Sequence, residues 1–141
     1  MNKTLAAALF ALLPLCSQAA DVTLEVDGLS APPAAGSMLM VGVFTDAATW
    51  LTRPTTGQSF PVDKAIDGRL TVVLKNLPAG PLALSVFQDV NANGKLDMQP
   101  GGFPAEPFGF SNGAVANYGP PRFEQAVLTP AAGTPIKIRL R

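Results

Sequence analysis

"LTVVLKNLPAGPLALSVFQD", residues 70–89, decides the fold. Leu70, Val72 and Leu74 recur at every second position, and so do Leu82, Leu84 and Val86. A period of two places each set on one face of an extended strand. Between them, Leu77-Pro78-Ala79-Gly80 carries Pro and Gly at the second and fourth places of a type I turn. The stretch therefore reads as two strands joined by a tight turn, each with one apolar face.

The same signature recurs along the chain. Val22, Leu24 and Val26 alternate, as do Leu39, Val41 and Val43, then Phe123, Gln125 and Val127, and finally Ile136, Ile138 and Leu140. A further strand is expected near Phe60 to Ala65. Asp27-Gly28 and Asp67-Gly68 mark turns between these segments. Only "TDAATWLT", residues 45–52, suggests a helix, with Thr45 or Asp46 capping one or two turns before Pro54. Trp50 and Leu51 are expected to close one end of the core. The fold class is all-β: an antiparallel two-sheet sandwich of about seven strands, immunoglobulin-like or transthyretin-like, with a closed barrel as the second choice. The expected core contains Leu24, Val41, Val43, Val72, Leu74, Leu84 and Val86.

The first residues set the compartment. "MNKTLAAALFALLPLCSQAAD" has Lys3 ahead of about a dozen apolar residues, the size of a signal-peptide core and too short for a membrane span. Ser17 and Ala19 form a small-residue cleavage site, so 1–19 reads as a signal peptide and 20–141 as a single domain. Leu15 before Cys16 is the wrong residue for a lipoprotein site. Cleavage removes Cys16, the single cysteine of the chain, so the exported domain is expected to be stabilised without disulfides. The expected location is the periplasm or the secreted space.

Composition excludes several functions. Ten basic and ten acidic residues give no net charge, hence no electrostatic footprint for nucleic acid or an anionic membrane. The chain has no histidine, which removes Ser-His and Cys-His nucleophiles and the usual zinc ligand sets. It also lacks the glycine patterns of nucleotide-binding loops.

One segment carries chemistry. In "QDVNANGKLD", residues 88–97, oxygen-bearing side chains stand at Asp89, Asn91, Asn93 and Asp97 around Gly94. Aligned on an EF-hand-type loop, Asp89 takes position 1, Asn91 position 3, Asn93 position 5, the Lys95 carbonyl position 7 and Asp97 position 9. Oxygen ligands select a hard cation, and calcium tolerates irregular cages better than magnesium. Position 12, normally a bidentate carboxylate, is Pro100; the missing ligand would come from water, a carbonyl, or Glu106 folded back. The expected affinity is that of extracellular modules, about 10⁻⁴ to 10⁻³ M. The competing reading makes Asn93-Gly94 a hairpin-like turn, with Asp89 and Asn91 accepting nearby backbone amides.

Beyond it, residues 98–121 form a long loop rich in Gly, Pro and aromatics. Ordered loops of this length tend to be functional. Glu106, Phe108, Phe110 and Tyr118 are candidates for a ligand-binding rim; alternatively the aromatic rings pin the loop to the end of the sandwich.

"VGVF", "LPAGPLALSVFQDVNANGKLD", "GFPAEPFGFSN" and "GPPRFEQAVL" together resemble the bacterial exported family catalogued as domain of unknown function 2141. The resemblance spans about Val41 to Leu128. It implies a small periplasmic β-sandwich and supplies no activity. That family commonly has His-Asp where this chain has Gln88-Asp89, so no histidine-dependent role carries over.

Three functions remain: a non-catalytic binding or accessory module of the cell envelope, recognising a protein, peptide or carbohydrate; a purely structural envelope protein; and a hydrolase using Asp89, Asp97 and Glu106. The first accounts for most of these features.

Overall fold

The computed structural model describes residues 19–141; the expected signal peptide, 1–19, lies outside the described residues except for Ala19. Among the described residues, seven strands make two sheets. They are β1 (Ala20–Asp27), β2 (Met38–Phe44), β3 (Thr56–Pro61), β4 (Leu70–Leu77), β5 (Ala83–Asp89), β6 (Phe108–Phe110) and β7 (Ile136–Arg139). One sheet has the order β4-β1-β7 and the other β3-β2-β5-β6. The architecture is the all-β two-sheet sandwich that the alternation implies.

The inner faces follow from the period of two. Val22, Leu24 and Val26 of β1, Leu70 and Leu74 of β4, and Ile136 and Ile138 of β7 meet Leu39, Val41 and Val43 of β2 and Leu84 and Val86 of β5. Leu24, Leu39, Leu74 and Leu84 are fully buried, each stabilising the fold by about 1.5–3 kcal/mol. Val72 is only partly buried, packed against this core rather than inside it. It lies on β4, the outermost strand of its sheet, where a side chain has neighbours on one side only.

Two local readings change, and a third, the short helical turn before Pro54, holds. Phe123–Val127 is not a strand: Phe123–Ala126 form a single helical turn, α1. Its Gln125 side chain accepts the Arg122 N–H at 2.8 Å and its own amide donates to the Arg122 carbonyl. This end closure outweighs a short alternation that has no partner strand, and the pairing survives only as a bridge between Leu82 and Leu128. The strand expected near residues 60–65 ends at Pro61, the ring of which offers no N–H to a ladder, and begins at Thr56 instead. The helical candidate is a single 3-10 turn, Ala47–Thr49, capped by Asp46 Oδ1 accepting the Ala48 N–H at 2.9 Å.

Pairing is antiparallel except between β1 and β7, which run in parallel with Glu25 opposite Lys137 and Asp27 opposite Arg139. After β6 the chain crosses back to the other sheet and enters beside β1 in the same direction, the long return that a parallel pair requires. The end of β7 then joins both sheets. The Leu140 N–H donates to the Asp27 carbonyl at 2.8 Å, while Arg141 exchanges backbone bonds with Phe108 of β6 at 2.9 and 3.2 Å. Gly109 makes that approach feasible, because a Cβ there would lie 2.6 Å from the Arg139 carbonyl oxygen.

A second, smaller apolar cluster lies on the other face of the four-stranded sheet, around Ala83, Phe110 and Ala126. Trp50 and Leu51 pack here rather than at an end of the main core. No helix among the described residues is long and apolar enough to cross a membrane.

Candidate functional site

Strand β5 delivers the candidate loop directly: Asp89 is its last residue and pairs with Met38. Asp89 is 1% exposed. Its Oδ2 accepts the Gly94 N–H at 2.7 Å and its Oδ1 the Asn93 N–H at 3.1 Å. Asn91 Oδ1 also accepts the Asn93 N–H, at 3.1 Å, and Asn93 Oδ1 accepts the Lys95 N–H at 2.8 Å. Each alternate side chain thus holds a backbone amide further along, which winds the segment round on itself. Gly94 at φ 78° and Ala92 at φ 59° complete the winding. The left-handed conformation suits glycine and strains alanine by about 1–2 kcal/mol, so the surrounding hydrogen bonds hold Ala92 there.

The far end of the loop closes on Asp97. Asn91 Nδ2 donates to its Oδ2 at 2.7 Å, and Asn93 Nδ2 donates to both carboxylate oxygens at 3.0 Å. The structure therefore brings Asp89, Asn91, Asn93 and Asp97 into one hydrogen-bonded loop with Lys95 between them. The available donors are two carboxylates, two side-chain amides and backbone carbonyls, all oxygen, which fits a hard cation. Among the described residues no three His, Cys, Asp or Glu side chains converge closely enough to hold a metal. A cation in this loop would thus depend on amide and backbone oxygens, and it would have to take the Asp97 oxygens from the two asparagine N–H groups.

The four rim candidates occupy different places. Glu106 is buried under the loop, where Oε1 accepts the Val90 N–H at 2.8 Å and Oε2 the Asp97 N–H at 3.0 Å. Phe108 and Phe110 pack edge-on to each other at 5.8 Å, with Trp50 5.9 Å from Phe110. Trp50 in turn stacks edgewise on Phe44 and Phe123 and donates its indole N–H to the Pro121 carbonyl at 2.7 Å. These rings pin the long loop to the sheet. Tyr118 is fully exposed, and Phe103 and Met98 project into solvent on a turn closed by the Gln99 N–H on the Phe103 carbonyl.

Sequence reasoning passes over two buried polar groups beside this site. Gln88 is fully buried; its Oε1 accepts the Ser30 N–H at 2.8 Å and its Nε2 donates to Ser37 Oγ at 3.0 Å. It ties the loop after β1 to β5. Ser111 Oγ accepts the Leu84 N–H and donates to the Ala126 carbonyl, joining β5 to α1. Their satisfied hydrogen bonds mark both as structural, since unpaired polar groups at this depth would be strongly destabilising. Gln88 stands out in sequence only as the neighbour of Asp89, and nothing local singles out Ser111.

Comparison with curated proteins and with solved structures gave no match. A family model described as "uncharacterized protein conserved in bacteria (DUF2141)" matches residues 25–137, from within β1 into β7. The chain belongs to this family of bacterial domains of unknown function.

Proposed function

We propose that the protein is an exported, non-catalytic accessory module of the bacterial cell envelope, and that loop 89–97 takes a calcium ion. The observation that carries the calcium reading is the grouping of Asp89, Asn91, Asn93 and Asp97 on one turn of chain around Gly94, with both Asp97 oxygens facing the two asparagine side chains. The ligands would be those four side chains and the Lys95 carbonyl. Bound calcium would supply positive charge between Asp89 and Asp97, replacing the asparagine N–H groups as the partner of the Asp97 carboxylate.

Export is supported by the N-terminal sequence, with its basic residue, apolar run and small-residue cleavage site. The non-catalytic reading is supported by the carboxylates themselves: Asp89 and Glu106 each accept two backbone amides, and Asp97 accepts side-chain amides. These bonds give each of the three carboxylates a structural role. An envelope protein, peptide or carbohydrate would meet the exposed Phe103 and Tyr118. Isothermal calorimetry of the exported domain with calcium tests the reading: saturable binding at about 10⁻⁴ to 10⁻³ M supports it, and no heat across that range refutes it.

A further inference from the structure

Glu106 has no part in the ligand set just proposed, yet it is the buried carboxylate that touches the loop at both ends. It is 7% exposed. Val90, which donates to Oε1, directly follows the first candidate ligand; Asp97, which donates to Oε2, is the last. Two backbone bonds extend the same seam, from the Ala105 N–H to the Asp97 carbonyl at 2.7 Å and from the Gln88 N–H to the Pro107 carbonyl at 2.9 Å. One side chain from outside the loop therefore joins its beginning to its end.

We infer that Glu106 is a positioning residue that closes loop 89–97 before, and without, any cation. A carboxylate suits the task because it offers two acceptor oxygens and no donor, and hydrogen bonds to a charged acceptor are shorter and stronger than neutral ones. A glutamine would turn an N–H toward one of the two amides. In an EF-hand-type loop the twelfth ligand closes the cage by gripping the ion. Here the closure is intramolecular, which is how Pro100 can occupy that position. The consequence for calcium rests on the proposed function: the ion enters a loop already shaped, so binding adds little order to it.

Amide hydrogen exchange by NMR on the exported chain, first in EDTA and then with calcium, tests this. In calcium-free wild-type protein the Val90 and Asp97 amides are expected to be protected. In Glu106→Gln they exchange about tenfold or more faster, the size of loss that follows when a charge-assisted bond is replaced by a mismatched one. The Leu84 amide, held by Ser111 in the core, keeps its protection. Unchanged exchange at Val90 and Asp97 in a folded Glu106→Gln protein overturns the inference. So does wild-type protein in which those amides become protected only after calcium is added, a result that would leave the calcium reading standing. Protected, Glu106-dependent amides in a protein that never responds to calcium would do the reverse, upholding the closure and removing the ion. If Glu106→Gln does not fold, the wild-type amides in EDTA decide alone.

Discussion

The side chain of Gln58 forms a two-bond ring with the backbone of Lys75: Nε2 donates to the Lys75 carbonyl at 2.8 Å, and the Lys75 N–H donates to Oε1 at 2.9 Å. Gln58 lies on β3 and Lys75 on β4, the edge strands of opposite sheets. The ring laces that side of the sandwich as Phe108 and Arg141 lace the other. It also occupies backbone groups that an unprotected edge would present to another chain. Gln58→Ala should lower stability by about 1–2 kcal/mol, two ordinary hydrogen bonds, and increase self-association. Chemical denaturation and light scattering check the two effects; an unaltered midpoint would show that the ring contributes nothing.

Truncation of the core should follow burial. Leu84 is fully buried between the sheets, so Leu84→Ala is expected to destabilise by about 2–5 kcal/mol. Val72 is half-buried on an edge strand, and Val72→Ala should lower stability by about 1 kcal/mol or less. Equal losses in urea denaturation would mean that Val72 belongs to the inner core after all.

Gly109→Ala tests the closure of the β6–β7 side. The new methyl would lie 2.6 Å from the Arg139 carbonyl oxygen and 2.9 Å from Ile138 Cγ2. Backbone cannot yield as a flexible side chain can, so a loss of about 1–3 kcal/mol or more is expected. A melting temperature unchanged from wild type would show that β6 and β7 lie farther apart than described.

How far the fold is legible in sequence depends on the range of the interaction. The apolar alternation of residues 70–74 and 82–86 appears directly as β4 and β5, because a period of two is a local property of the chain. The same alternation at Phe123, Gln125 and Val127 misleads, since the segment forms no ladder with the neighbouring β5 and Gln125 closes it into α1. Phe108–Phe110 is too short to show any period. In the candidate site, Asp89 to Asp97 is legible because its residues are sequence neighbours. The burial of Glu106 beneath Val90 and Asp97 is not, because only the packed fold brings residues 90 and 106 together. Phe108 and Phe110 look like rim residues in sequence for the same reason: Trp50, which packs on Phe110, lies far away in the chain.

A pH effect is expected at the other end of the molecule. The hydrogen bond from the Lys75 ammonium to Asp21, at 2.7 Å, and one from the Asn76 N–H hold the Asp21 carboxyl below its ordinary value of 3.8, against a small opposing effect of burial. A carboxyl with a depressed folded value adds stability above the unfolded value and loses it as the pH falls through the folded one. Both side chains are exposed, so the contribution is small and screened by salt. Wild type and Asp21→Asn should therefore differ at low salt above about pH 4 and converge as the pH falls on through the lowered folded value. Acid unfolding curves that stay parallel to lower pH would contradict this.

The most direct test is a calcium titration of three proteins in parallel, read by calorimetry and thermal melting: wild type, Asp97→Asn and Asp89→Ala. Asp89 accepts two loop amides in addition to its proposed ligand role, so Asp89→Ala should be destabilised by about 2–3 kcal/mol even without calcium. Asp97→Asn keeps the backbone bond to Glu106, removes the charge and trades one acceptor oxygen for an N–H group among the exposed asparagine amides, a smaller change than the loss of the buried Asp89, which makes it the cleaner probe. For a site of about 10⁻⁴ M, calcium at about 1 mM stabilises the folded state by RT ln 11, about 1.4 kcal/mol, equivalent to a rise of roughly 4–8 °C in melting temperature. The account predicts that rise in wild type, its absence in Asp97→Asn, and a weaker response to magnesium. An equal response in Asp97→Asn, or no response in wild type at several times 10⁻³ M calcium, would contradict it.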